Sequence, residues 1–194
     1  MRHLAFLILV AMLATPAHAE VLSWQGVGPV ELGMTVTAAE RALGTKLEPR
    51  SLAYISDECY QTWRADKKDP GIGYVVEDGK ITVIQVYRPD GQTPDVTDKN
   101  RIGIGGTEDD IRRAYGQVKK SLGFYDRGTS KDDPATPQRG GKTETPATEY
   151  VPEYWIEAES PDNKRAILFI TEAGKVTSMT TGFKPMVLDP EPCL

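Results

Sequence analysis

Leu32-Gly33-Met34-Thr35, running on to Leu43-Gly44, returns as Ile104-Gly105-Gly106-Thr107, running on to Tyr115-Gly116. Gly33 and Gly105, Thr35 and Thr107, Arg41 and Arg113, Ala42 and Ala114, and Gly44 and Gly116 all lie 72 residues apart. Each copy reads as a strand end, a tight glycine turn, a threonine helix cap, a short helix and a glycine stop. A fixed spacing of this kind marks an internal repeat. The doubling reaches a later hairpin too. Glu77-Asp78-Gly79-Lys80-Ile81-Thr82 matches Glu172-Ala173-Gly174-Lys175-Val176-Thr177, now 95 residues apart. The second copy therefore carries about 23 extra residues between helix and hairpin. Residues 126–149, rich in Gly, Pro, Thr, Ser and charge, account for them and are expected to form a surface loop.

The flanking pattern completes a unit. Trp24 to Leu32 alternates like a first strand, and Val36, Ala39 and Leu43 form one apolar stripe on the helix after it. Cys59 to Arg64, Ile72 to Glu77 and Lys80 to Tyr87 read as strands, the last two joined by Asp78-Gly79, a strong hairpin signal. In the second copy Ile102 and Ile104 restart the pattern, and Ile111, Ala114, Tyr115 and Val118 line the helix. Tyr150 to Glu159, Arg165 to Thr171 and Lys175 to Gly182 follow as strands. The predicted fold is α+β: two tandem β-α-β-β-β repeats of about eight strands, with both helices on one face of antiparallel sheets and the other face open. The divisions are a leader at 1–19, a first repeat at 20–88, a linker at 89–101, a second repeat at 102–183 and a C-terminal strap at 184–194.

Met1-Arg2-His3, the apolar run Leu4 to Leu13 and the small residues of Ala17-His18-Ala19 together form a secretory leader, too short to span a membrane. No Cys follows that site, so no lipid anchor is expected, and the periplasm is the predicted compartment. His3 and His18 are the only histidines, so the exported chain has no imidazole for catalysis or metal ligation. A net charge of −5 with mixed signs argues against nucleic acid as a partner. Cys59 and Cys193, the only cysteines, are expected to form one disulfide in an oxidising compartment, fastening the tail to the first repeat. Thr35 and Thr107 are helix caps, not nucleophiles. Glu108, Asp109 and Asp110 complement a helix dipole. Asp90, Asp95, Asp98 and Asn100 lack the spacing of a calcium loop, so neither metal nor cofactor is expected.

The doubled glycine–threonine–helix–glycine signature, each copy followed by a Gly-Lys hairpin, resembles the tandem repeats of the β-lactamase inhibitory protein and the related single-domain SmpA/OmlA lipoproteins. It is also similar to uncharacterised exported bacterial proteins with two such repeats and a C-terminal Cys. The resemblance implies binding. In the inhibitor a concave sheet and a hairpin loop grip an enzyme, and the lipoproteins dock onto other envelope proteins. This chain departs from the lipoproteins in lacking an anchor Cys.

Glu153-Tyr154-Trp155-Ile156-Glu157-Ala158-Glu159 is the candidate contact strand. Alternation places Tyr154, Ile156 and Ala158 in the core and Glu153, Trp155, Glu157 and Glu159 on the opposite face, with Tyr150 nearby. An aromatic anchor among carboxylates suits a protein partner. The expected function is thus a non-enzymatic module, monomeric, that binds another envelope or secreted protein. One alternative is a periplasmic glycan or small-molecule binder using Trp63, Tyr74 and Trp155. A second is a hydrolase using the paired carboxylates Glu157 and Glu159.

Overall fold

The structure is a computed structural model and describes residues 20–48, 56, 58–126 and 150–193. The expected leader at 1–19 and the polar loop from 127 to 149 lie outside the described residues. Along the chain run β1 (Glu20–Leu22), β2 (Gly26–Val27), β3 (Val30–Glu31), α1 (Val36–Leu43), β4 (Cys59–Trp63), β5 (Ile72–Glu77), β6 (Lys80–Val86) and β7 (Val96–Asp98). Then come α2 (Glu108–Tyr115), β8 (Lys119–Leu122), β9 (Glu153–Glu159), β10 (Arg165–Glu172) and β11 (Lys175–Phe183). The fold is α+β, with two helices and eleven strands in two mostly antiparallel sheets among the described residues.

The main sheet has seven strands in the order β4-β5-β6-β11-β10-β9-β8, every pair antiparallel. Its two halves meet at the β6–β11 seam, where Met179 faces Val86 and Gly182 faces Val83. A second, four-stranded sheet runs β3-β2-β1-β7, with β1 and β7 parallel. This small sheet corrects the sequence expectation in two places. The single strand expected over Trp24 to Leu32 is instead the hairpin β2–β3, because Gly28 and Pro29 turn the chain back on itself. The expected linker at 89–101 contains β7, and no strand restarts at Ile102; Gly103 makes only an isolated bridge to Thr97.

One core fills the space between the main sheet, the helices and the small sheet. Ile72, Tyr74, Val76, Ile81 and Ile84 from one half join Ile156, Ile167, Phe169, Val176 and Met179 from the other. Ala39 of α1 and Ile111 of α2 are fully buried in the same cluster, as are Leu22, Val27, Val30 and Val96 of the small sheet. Both helices therefore serve one face of the main sheet.

The helices begin in the same way. Before α1, Gly33 N donates to Ile81 O (2.7 Å) and Ile81 N to Met34 O (2.8 Å). Before α2, Gly105 N donates to Val176 O (2.8 Å) and Val176 N to Gly106 O (2.9 Å). Thr35 bridges Lys80 as Thr107 bridges Lys175. The hairpin turns share their geometry as well: φ is +48° and +74° at Asp78-Gly79 and again at Ala173-Gly174. The β5–β6 pairing slips between Val75 and Val76, and the β10–β11 pairing between Ile170 and Thr171.

The opposite face of the main sheet departs from expectation. Trp155, Ala166 and Leu168 form a second buried cluster with Val187, from the 3-10 turn Met186–Leu188. The tail lies close on the sheet here: a Cβ on Gly182 would sit 3.1 Å from Val187 Cβ and 2.9 Å from Val83 Cγ2. Cys193 is disulfide-bonded to Cys59 at the start of β4, with Cα atoms 5.2 Å apart. The tail is a fastened strap, and the face expected to be open is partly closed by the chain itself.

Candidate functional site

Trp155 is the first correction. It lies on the predicted face, but under the strap it is only 6% exposed, and its indole Nε1 donates to Glu153 Oε1 (2.6 Å). The acids beside it are held from within. Lys184, at the start of the strap, lies 3.1 Å from Glu157 and also donates to Glu159 and to Asn163 Oδ1 (2.8 Å). Lys119 of β8 donates to Glu159 from the other side (2.7 Å). These two lysines pull the Glu159 carboxyl down to about 2. That is the opposite of what a general acid needs. Glu157 and Glu159 are thus tied to the strap and to β8, Trp155 packs under the strap, and Glu153 holds the Trp155 indole.

The three aromatics of the ligand-binding alternative do not converge. Tyr74 is buried in the core cluster on the helix side. Trp63 lies on the other face against Gly73, and its Nε1 donates to Tyr87 Oη (2.8 Å). Trp155 belongs to the strap cluster in the other half of the sheet.

Among the described residues, exposed apolar surface is concentrated elsewhere. Leu122, Phe124, Tyr125, Tyr150 and Val151 are all exposed; Val21 is the only other large hydrophobic residue that is. They occupy two short stretches, the end of β8 with the turn Phe124–Asp126, and the approach to β9. Local hydrogen bonds draw the stretches together. Glu153 N donates to Asp126 Oδ2 (2.7 Å), Gly123 N donates to Glu153 O (2.8 Å), and Tyr150 Oη donates to Asp126. Phe124 and Tyr125 stack edge-on at 5.3 Å, and Tyr125 Oη donates to Glu191 of the strap, which raises the phenol's pKa. Both tyrosines remain about two-thirds exposed, Tyr125 at 65% and Tyr150 at 64%.

Phe124 also borders an open groove of about 690 Å³ along the strap. Phe183, Pro185, Met186 and Leu188 give it an apolar lining, and Glu77 and Asp189 add charge. The aromatic patch and this groove form one continuous candidate surface through Phe124. Tyr150 is the one predicted contact residue that belongs to it. The others were missed because alternation reports the faces of a strand and is silent on a turn such as Phe124–Asp126. The available clue was Phe124-Tyr125, two adjacent aromatics beside a polar stretch that offers no core to receive them.

A second charged centre has a structural role. Arg64 is buried after β4, pairing with Asp66 through Nε (3.1 Å) and Nη2 (3.0 Å) and with Asp69 through Nη1 (2.8 Å). Glu20 of β1 lies 3.6 Å from Nη1. Burial and the nearby Asp69 raise the Glu20 carboxyl despite Arg64. The cluster ties the small sheet to the edge of the large one. No group of three or more His, Cys, Asp or Glu able to hold a metal occurs among the described residues.

Compared with protein-family models, curated proteins and solved structures, the chain matches none. No helix among the described residues is long and apolar enough to cross a membrane.

Proposed function

We propose that this chain is an exported, non-enzymatic module that binds another envelope or secreted protein. Its contact surface is Leu122, Phe124, Tyr125, Tyr150 and Val151, continued along the strap groove. The observation that carries this reading is the gathering in that one region of five of the six large hydrophobic residues that are exposed among the described residues. Singly exposed hydrophobic residues are ordinary, whereas a contiguous patch led by aromatics marks an interaction site. The chemistry of β9 favours binding over hydrolysis, since Glu157 and Glu159 are neutralised by lysines.

The architecture is two tandem copies of one unit, a reading supported by the paired hydrogen bonds at Gly33 and Gly105 and by the matching turns and strand slips. It follows the resemblance to the β-lactamase inhibitory protein and the SmpA/OmlA lipoproteins, which also act by gripping other proteins. Export is supported by the Cys59–Cys193 disulfide together with the leader pattern.

Photo-crosslinkers placed at Phe124 and Tyr150 in the source cell test the assignment, with Arg41 on α1 as the control position. The expected result is one discrete partner from 124 and 150 and none from 41. The purified partner should then lose affinity for Phe124→Ala and Tyr125→Ala chains. Equal labelling from all three positions, or unchanged affinity, would remove this surface from consideration.

A further inference from the structure

A groove of about 520 Å³ separates the Asp98–Ile102 turn from the outer side of α2 and shares no lining residue with the aromatic patch. Lys99, Arg101 and Arg113 line it, with Asp110 as its one acid. Asp110 is already engaged: it accepts from Thr107 N (3.2 Å), Thr107 Oγ1 (2.6 Å) and Arg113 (2.9 Å). Arg101 makes no ion pair among the described residues. The groove is therefore locally positive on a chain of net charge −5.

The turn that carries two of these cations is braced by hydrogen bonds to Asp98. Asp98 is buried, and its carboxylate accepts from Asn100 N (2.8 Å), Ile102 N (2.8 Å), Asn100 Nδ2 (3.1 Å) and Tyr115 Oη (2.6 Å). Arg101 itself holds a left-handed backbone, φ +64°, that favours glycine. Lys99 Nζ lies 5.0 Å over the Trp24 ring, which restrains the second cation. A strained arginine on a braced turn is a costly way to place a charge at random. The fold does not demand it either: 72 residues earlier, the positions of Lys99, Arg101 and Asp110 are held by Val27, Pro29 and Ala38.

We propose that this groove binds a phosphate group, gripped by Arg101 and Arg113 with Lys99 at its edge. Guanidinium forks match phosphate oxygens in geometry and charge. The phosphate could belong to a free ligand or to a lipid headgroup, and the test separates the two.

The exported chain, isotope-labelled, is titrated with inorganic phosphate at constant ionic strength, then with phosphatidylglycerol vesicles and phosphatidylcholine vesicles as the uncharged control. Saturable amide shifts confined to residues 99–102 and 110–114 are expected with phosphate. Arg101→Gly keeps the turn, because glycine suits its φ, and should weaken phosphate binding about tenfold or more, as should Arg113→Ala. Arg165→Ala, outside the groove, should leave it unchanged. Response to phosphate alone assigns a free ligand. Response to phosphatidylglycerol vesicles that is lost in Arg101→Gly assigns a headgroup. The proposal is overturned if neither probe gives a saturable response, if sodium chloride reproduces the shifts, or if both arginine variants bind as the parent does.

Discussion

The two helices start alike and then diverge. Thr35 caps α1 by accepting from Ala38 N (3.2 Å), a one-way side-chain cap. Thr107 caps α2 by accepting from Asp110 N (3.1 Å) while Asp110 reaches back to it, a closed capping box. The first turn of α1 has no acid, whereas that of α2 has Glu108, Asp109 and Asp110, followed by Arg112 and Arg113. Beneath them, α1 buries Ala39 where α2 buries Ile111, 72 residues on. After α1 the described residues show a short pairing at the end of β4, with Leu47 bridging Arg64 and Glu48 N donating to Trp63 O (2.7 Å). After α2 it builds the full strand β8 and the aromatic turn that follows. The two helices share a backbone device at their start but not a surface.

The largest effect is expected at the strap. Cys193→Ser opens a ring with a sequence separation of 134. By the chain-entropy model this should remove about 5 kcal/mol. Urea unfolding should shift accordingly, and a split into two transitions would show that the bond, rather than the β6–β11 seam, makes the halves cooperate.

The helix undersides come next. Ile111→Ala should destabilise by about 2–5 kcal/mol through a cavity, whereas Ala39→Ile at the matched site should destabilise by about 1–3 kcal/mol through overpacking. Equal tolerance of Ile at position 39 would mean that the two helices do not sit over the sheet in the same way.

The caps give a smaller contrast. Thr35→Ala should lower stability by about 1 kcal/mol, and Thr107→Ala by more, up to about 2 kcal/mol, because it also removes the Thr107 Oγ1 bond to Asp110. Thermal melts of the two variants side by side would settle the order.

The smallest effects concern pH. Glu159, held low by Lys119 and Lys184, contributes stability above its unfolded value of 4.5 that is lost as pH falls toward about 2. Glu20, raised by burial, has the opposite sign: its contribution is full below 4.5 and is lost as pH rises through its folded value. Glu159→Gln should flatten the acid limb of the stability curve, and Glu20→Gln should reduce the decline toward neutral pH.

Much of the main sheet was legible because its strands obey simple rules. β5, β6, β10 and β11 are apolar runs bounded by Asp78-Gly79 and Ala173-Gly174, so hairpin and register follow from turn chemistry. The helices were legible from cap, stripe and glycine stop. β8 was not, since Lys119-Lys120-Ser121-Leu122 is exposed throughout and has no alternation; only its partner β9 makes it a strand. The small sheet was hidden for a similar reason: β1 and β7 are three residues each and join by a parallel pairing between distant segments. Trp155 was placed on the correct face with the wrong exposure. Periodicity assigns a side of the sheet, but what covers that side depended on a tail containing Lys184, Val187 and Cys193.

The lone pair of cysteines shapes how the protein is made. During vectorial synthesis Cys59 emerges first and must stay a thiol while more than a hundred residues are delivered behind it. A chain with two cysteines has no incorrect internal pairing to explore, so an isomerase has nothing to correct within it. Its characteristic oxidative error is a covalent dimer of two unfinished chains.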